Sequence, residues 1–264
     1  MSILSINSTK NTKKILVVQF REDITKNHEQ QCINRLLGQG LDFTLDYVDI
    51  FDSTSAIAFG NPSHFLSNYY AVILGGSGAI SMGYGHKNND YNKANYIITI
   101  VAPLLDYILA NDFPTLGICF GHQLLGDYLG TKVGFDANQN ESGFAKVVLT
   151  KEGETDKVFG KLNEVNNKID QKNLDQDLWS VTMHQDSLVS LPSNVVLLAT
   201  TDRCKVASFR YKNNIYGTQF HPELNEKDLL YRFSLFPQYQ TNSQIALQDS
   251  TKITQLLVLF LQAI

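Results

Sequence analysis

The segment Thr115-Leu-Gly-Ile-Cys119-Phe-Gly-His-Gln-Leu-Leu-Gly-Asp-Tyr-Leu-Gly130 leaves few options for the chain around it. It reads as a short buried strand, an abrupt turn centred on Cys119, and a helix. Gly117 and Gly121 stand two positions before and two after the cysteine. That is the spacing of a nucleophile elbow with Cys in place of Ser. The reason is steric: a turn this sharp brings positions i−2 and i+2 together, and a side chain at either would clash. The same turn lifts the sulfur beyond the end of the sheet and sets it at a helix N-terminus, where N–H groups and the helix dipole favour a thiolate. A lone cysteine on a strand end is more often structural; the paired glycines turn the reading toward a nucleophile.

A strand-to-helix elbow needs a sheet behind it, and the first half of the chain supplies one. Lys14–Phe20 and Tyr70–Leu74 are continuous apolar runs of the kind that form buried parallel strands. Leu41–Val48 alternates and reads as a further strand. Asn27–Leu37 has helical spacing at Cys32, Ile33, Leu36 and Leu37 and closes at Gly38. Residues 52–68 read as irregular. A Gly-, His- and Asn-rich loop covers 79–92, and a helix over Ala94–Ala110 is expected to kink or split at Pro103. The alternation of strand and helix predicts an α/β fold of three layers, flavodoxin-like, with a mostly parallel central sheet and helices on both faces. Sites in such sheets form beyond the carboxyl ends of the strands. Cys119 and the Gly75-Gly-Ser-Gly78 loop therefore belong to one crevice.

The second half changes character. Short strand candidates at 132–133, 145–150, 178–183, 195–200, 205–211 and 214–218 are separated by turn residues, which predicts antiparallel strands added to the sheet. Asn225–Phe233 has the composition of a helix start. Residues 237–250 read as a polar surface insertion, and Thr251–Ile264 as an apolar helix docking on the sheet. Nothing marks a domain boundary, so 1–264 is read as one domain with a loose tail over 1–12. At 43% hydrophobic and 18% charged the chain supports a substantial core. Its net charge of −4 argues against a nucleic-acid or anionic-membrane surface. The longest uninterrupted apolar run, Leu256–Leu261, falls short of a membrane span. Three cysteines without a C-x-x-C pair suit a reducing, cytoplasmic setting and argue against a thiolate zinc site. No metal and no cofactor is expected.

A cysteine nucleophile needs an imidazole partner and a group to orient it. Of the six histidines, His28 reads as a solvated surface residue, and His64 and His86 sit in loops and say little. His122 lies on the elbow helix and is expected to point away from the thiol. His221 follows the strand 215–220 and opens His221-Pro-Glu223, where the proline stiffens the turn and the carboxylate can accept the second imidazole N–H.

With Cys119, His221 and Glu223 in that order, the chain resembles the class I, or triad, glutamine amidotransferases, in the branch of the stand-alone GMP-synthetase amidotransferases. The resemblance rests on Gly117-Ile-Cys119-Phe-Gly121-His-Gln123, on Tyr216-Gly-Thr-Gln-Phe-His221-Pro-Glu223, on the Gly75-Gly76 loop, on Glu141-Ser-Gly143 and on His184-Gln-Asp186-Ser-Leu. It implies that Cys119 attacks the γ-carboxamide of glutamine and that His221, oriented by Glu223, moves the protons. It also implies that the N–H groups of Gly76 and Phe120 hold the oxyanion, and that Gln123, His184, Gln185, Asp186 and Ser187 contact the substrate. The family has proline where Ser77 stands, which implies a more flexible oxyanion loop here. No ATP-grasp or P-loop synthase module is found in these residues. The resemblance thus implies a glutaminase or amidotransferase component that forms a γ-glutamyl thioester, releases ammonia and has a synthase or other acceptor enzyme as a possible partner. A γ-glutamyl peptidase acting on an amide larger than glutamine is the alternative; a catalytically silent interaction module is a second, against which the intact Cys–His–Glu set argues.

Overall fold

Alternation along Ile15–Val18 sets the layering. Ile15 and Val17 point into one core and Leu16 and Val18 into another, on opposite faces of the same strand, and all four are fully buried. Ala71 and Ile73 join the first core, Val72 and Leu74 the second. A strand apolar on both faces needs helices on both, and the chain provides them. The computed structural model describes residues 12–38, 42–78, 80, 91–164, 177–239 and 246–264. The strands are β1 (Lys13–Gln19), β2 (Phe43–Asp49), β3 (Ala71–Leu74), β4 (Thr115–Ile118), β5 (Val133–Phe135), β6 (Glu141–Leu149), β7 (Leu178–His184), β8 (Asp186–Leu188), β9 (Val195–Thr200), β10 (Ser208–Tyr211) and β11 (Ile215–Thr218). The helices are α1 (Thr25–Leu37), α2 (Ser53–Phe59), α3 (Pro62–Phe65), α4 (Tyr91–Asn111), α5 (Phe120–Tyr128), α6 (Lys151–Thr155), α7 (Glu226–Leu235), α8 (Thr251–Thr254) and α9 (Leu256–Ala263).

Among the described residues nine strands form one sheet in the order β2-β1-β3-β4-β11-β10-β9-β6-β7, and β5 pairs with β8 in a small second sheet. From β2 to β11 every pairing is parallel; from β11 outward through β10, β9, β6 and β7 every pairing is antiparallel. This is the α/β sheet with antiparallel additions that the sequence pattern predicts. Helix α1 covers one face through Ile33 and Leu37, joined by Ile253, Leu256, Leu257, Phe260 and Leu261 of the C-terminal helices. Phe260 meets Tyr216 of β11 edge-on at 5.8 Å, and the Tyr70 hydroxyl donates to the carbonyl of Ile264. The C-terminal segment docks as expected.

The other face is covered by α2, α4 and α5. Helix α4 runs through Pro103 as one element. The bond its missing N–H forfeits is offset by a buried stripe on both sides of it: Ile97, Val101, Leu104, Leu105 and Ile108 are all 0% exposed, each such side chain contributing about 1.5–3 kcal/mol. Lys93–Asn111 of this helix is also long and apolar enough, at a mean hydropathy of 1.3, to cross a membrane. Counting only uninterrupted apolar runs missed it, because Asn95, Thr99 and Asp106 break the run. Residues 52–68 are helical rather than irregular. The Asp52 side chain caps α2 by accepting from Thr54 N, and Pro62 opens α3; both helices are too short to show a period. Strand β8 was not among the strand candidates. Residues 1–11 of the expected 1–12 tail, most of the 79–92 loop with His86, and the middle of the 237–250 insertion lie outside the described residues.

Candidate active site

The elbow forms as its glycines require. Cys119 sits between β4 and α5 with φ 52° and ψ −98°, a left-handed conformation costing a non-glycine residue of order 1–3 kcal/mol. Two backbone bonds hold it there: Cys119 N–H donates to Thr218 O at 2.7 Å, and Gly121 N–H donates to Gly75 O at 3.1 Å. A Cβ on Gly117 would lie 2.6 Å from the carbonyl carbon of Gly121, so the i−2 and i+2 positions do touch. The Cys119 side chain is buried at 5% exposure.

His221 is delivered by the end of β11, which pairs in parallel with β4. Its N–H donates to Val181 O at 2.8 Å, fixing the backbone after the strand. His221 Nδ1 lies 2.7 Å from Glu223 Oε1, and both side chains are about 1% exposed. Burial pushes the imidazole's pKa down, but the Glu223 carboxylate and the Cys119 sulfur outweigh it and hold it at about 9. Burial likewise pushes Glu223 up, and the His221 imidazolium with Arg232 holds it below the ordinary carboxylate range. The pair therefore rests as imidazolium and carboxylate. Glu223→Gln removes the larger of the two charges that hold the proton on His221 and leaves the burial. The His221 Cε1–H resonance is expected to titrate near pH 9 in the native protein and at a lower pH in the variant, as read by NMR; an unmoved midpoint would mean that Glu223 does not set it.

Gln219, two residues before His221, was given no role by sequence reasoning, although it lies inside the quoted segment. Its Nε2 points at Cys119 Sγ from 3.7 Å, and its Oε1 accepts from Gln123 Nε2 at 3.1 Å. Gln123 also donates to Asp186 O at 2.8 Å, so its amide bridges the elbow helix and the His184 segment. His184 is set by Glu141, whose Oε2 lies 3.2 Å from Nε2; Thr201 holds the other carboxylate oxygen at 2.5 Å. Gln123, His184, Gln185 and Asp186 all line a cleft of ≈ 220 Å³ with Cys119, Phe120 and His221. Ser187 does not: it is buried at 1% exposure, with its hydroxyl 3.3 Å from His184 Nδ1. It supports the histidine from behind, because β8 turns its side chain inward.

The Gly75-Gly76 loop departs from expectation. The Gly76 N–H, assigned to the oxyanion, donates to Glu29 Oε1 at 2.9 Å. Glu29 is 1% exposed and also accepts from Arg21 Nε at 3.1 Å and Gln19 Nε2 at 3.2 Å. A buried carboxylate gathers donors, and the loop after β3 is close enough to supply one. Ser77 is tied rather than loose: its hydroxyl accepts from Ile80 N–H at 3.0 Å. Phe120 opens α5, so its N–H belongs to the first turn, whose donors have no intrahelical partner.

Two histidines stand apart. His122 is fully buried against Phe209, with ring centroids 5.0 Å apart, and points away from the cleft as expected. Burial lowers its pKa to about 3. His28, read as a surface residue, is buried: it lies 3.3 Å from Asp228 Oδ1 and accepts from Arg232 Nε at 3.4 Å. Its position in α1 faces α7, a pairing between residues far apart in sequence that spacing does not reveal. His28, Cys32 and Asp228 bring donor atoms within 4.8 Å of one another. Arg35 grips the same Asp228 through both terminal guanidinium nitrogens, so that carboxylate already has a cation for a partner.

Residues 79–230, more than half of the chain, match the family model for glutamine amidotransferase class I. A component of the glutamine-hydrolysing GMP synthase of Methanosphaera stadtmanae is 34% identical over 45% of this chain and 56% of that protein. Gamma-glutamyl peptidase 3 of Arabidopsis thaliana is 28% identical over 55% of this chain and 54% of its own. The chain thus spans about half the length of the curated relatives it matches. A glutamine amidotransferase from Thermotoga maritima shares the fold, with a TM-score of 0.58 at 20% identity over 96% of this chain and 95% of that one. The family model covers more than half of the chain, and the chain belongs to the class I glutamine amidotransferase family.

Proposed function

We propose that the chain hydrolyses a γ-glutamyl amide bond through a thioester on Cys119. The observation that carries this reading is the buried His221–Glu223 pair, 2.7 Å apart, whose histidine lines the cleft that holds Cys119. The Cys119 sulfur attacks the carboxamide carbon. The developing oxyanion is held by the Phe120 N–H and by the Gly76 N–H once Glu29 releases it, each donor lowering the barrier by about 3–4 kcal/mol. His221 gives its proton to the leaving nitrogen, the C–N bond breaks and the amine departs. Water then attacks the thioester, His221 takes its proton, and the carboxylate product leaves as the sulfur is restored. The sum is amide plus water giving glutamate plus amine.

Glutamine is the smallest such substrate, and its amine is ammonia. One relative is named as a component of a glutamine-hydrolysing GMP synthase, so a synthase or other acceptor enzyme is the partner proposed for that reaction. A second reading, a γ-glutamyl peptidase, is favoured by a cleft that Phe236 and Tyr239 line together with His221 and by the match to the Arabidopsis peptidase. Incubation with glutamine or a γ-glutamyl peptide, followed by acid quench, proteolysis at low pH and peptide mass mapping, is expected to reveal a γ-glutamyl adduct on the peptide containing Cys119. Steady turnover without that adduct in a rapid quench, or an adduct on another residue, would overturn the thioester route.

A further inference from the structure

Gln219 has no part in the steps above, yet its side chain meets the sulfur from inside the protein. It is 1% exposed and does not line the cleft, so it is no substrate contact. Its backbone N–H donates to Ala207 O at 2.8 Å, and the carbonyl of Thr218 just before it accepts from Cys119 N–H at 2.7 Å. The chain leaving β11 is thereby fixed against the elbow. From that place Gln219 Nε2 lies 3.7 Å from Cys119 Sγ. The sulfur is itself buried, at 5% exposure for the residue. A thiolate in such a place is costly unless donors stand around it. His221 supplies one from the cleft side, and Gln219 stands on the other.

An amide has a donating end and an accepting end, and only the first helps a thiolate. The surroundings of Gln219 decide which end faces the sulfur. Asp186 O is a backbone carbonyl and can only accept. Gln123 therefore turns its NH2 group toward it, at 2.8 Å. The second N–H of that group donates to Gln219 Oε1 at 3.1 Å. With its oxygen engaged there, Gln219 presents its own NH2 group to Cys119. A main-chain carbonyl thus sorts two amides in series and leaves a donor on the sulfur. We infer that Gln219 is a catalytic donor that holds Cys119 as a thiolate, and that Gln123 and the Asp186 carbonyl are the positioning groups that aim it. This rests on the thioester reading and goes beyond it by giving the sulfur a neutral partner besides His221. It also commits both N–H bonds of Gln123 within the protein, so that only its Oε1 is left to face a ligand.

The test is made without substrate. Cys119 is alkylated with iodoacetamide across a range of pH and its labelled peptide is quantified by mass, which keeps Cys32 and Cys204 out of the count. Gln219→Met keeps the shape of the side chain and removes the donor. On the rising limb of the profile the variant is expected to react at least about fivefold more slowly than the intact enzyme. On the high-pH plateau it is expected to react as fast or faster, because a less stabilised thiolate is the better nucleophile. The titratable groups around the sulfur, His221 with Glu223, Arg21 with Glu29 and the Cys204 thiol, are common to both proteins and cancel in the comparison. Gln123→Met leaves Gln219 in place with its amide unsorted. It is expected to slow the rising limb by a smaller factor and to add nothing in the Gln219→Met background, and it keeps the inference testable should Gln219→Met fail to fold. An unchanged profile in either variant, or a rate lowered by one factor at every pH, would overturn the inference. No turnover of glutamine or of γ-glutamyl amides by the intact enzyme would instead overturn the proposed hydrolysis, on which the alkylation comparison does not depend.

Discussion

Cys119→Ala is expected to lower amine release from glutamine and γ-glutamyl amides by roughly four orders of magnitude or more, because removing the nucleophile leaves only oxyanion stabilisation and binding. The loss should fall on kcat, since the groups lining the cleft remain. It should also come without loss of fold. Alanine at φ 52° bears the same backbone strain as cysteine, and the N–H bond to Thr218 O does not involve the side chain. Far-UV circular dichroism and the denaturation midpoint are expected to match the native protein. A variant that keeps a tenth of the native rate would place the nucleophile elsewhere, and Cys32 and Cys204, both buried with thiol pKa values pushed up mainly by burial, are poor replacements.

The largest expected effect on stability is at Gly121. A Cβ there would run into Leu74 O and lie 2.7 Å from Leu74 Cβ. Both neighbours belong to β3, whose backbone is locked by pairing with β1 and β4, so nothing can give way. Gly121→Ala is expected to destabilise by about 3–5 kcal/mol, the range of severe overpacking. The control is Gly130, at φ 92° with open space around its position; alanine there costs only backbone strain, about 1 kcal/mol. Urea denaturation of the two variants side by side decides the matter: equal midpoints would mean that the strand-to-helix turn does not depend on the contact between α5 and β3.

The elbow, the paired glycines and the His221-Pro-Glu223 turn were legible because each is local: a few consecutive residues determine their own geometry. The parallel half of the sheet was legible for the same reason, through apolar runs such as Lys14–Phe20. What spacing could not reveal are contacts made across the fold. Glu29 reaches Gly76 from α1, and Arg232 reaches His28 from α7; neither has a sequence period or motif to announce it. His28 looked exposed because its helix was read alone, without α7 lying against it. Ser187 was grouped with the site because it stands in a motif, whereas the pleat of β8 turns it behind His184. Helices α2 and α3 escaped notice because one or two turns are shorter than the window in which a 3.6-residue period emerges.

The pairing of β4 with β11 carries a consequence for how such a protein fails. Cys119 and His221 come from different strands, and their spacing is set by one short parallel ladder, Ile215 to Thr115 through Thr218 to Ile118. A slip of one residue along that ladder would displace His221 by about 3.3 Å and turn its strand over. Cys119 and His221 are in that sense gauged against each other by four backbone pairings, with Gln219 reaching across to both Cys119 and Gln123.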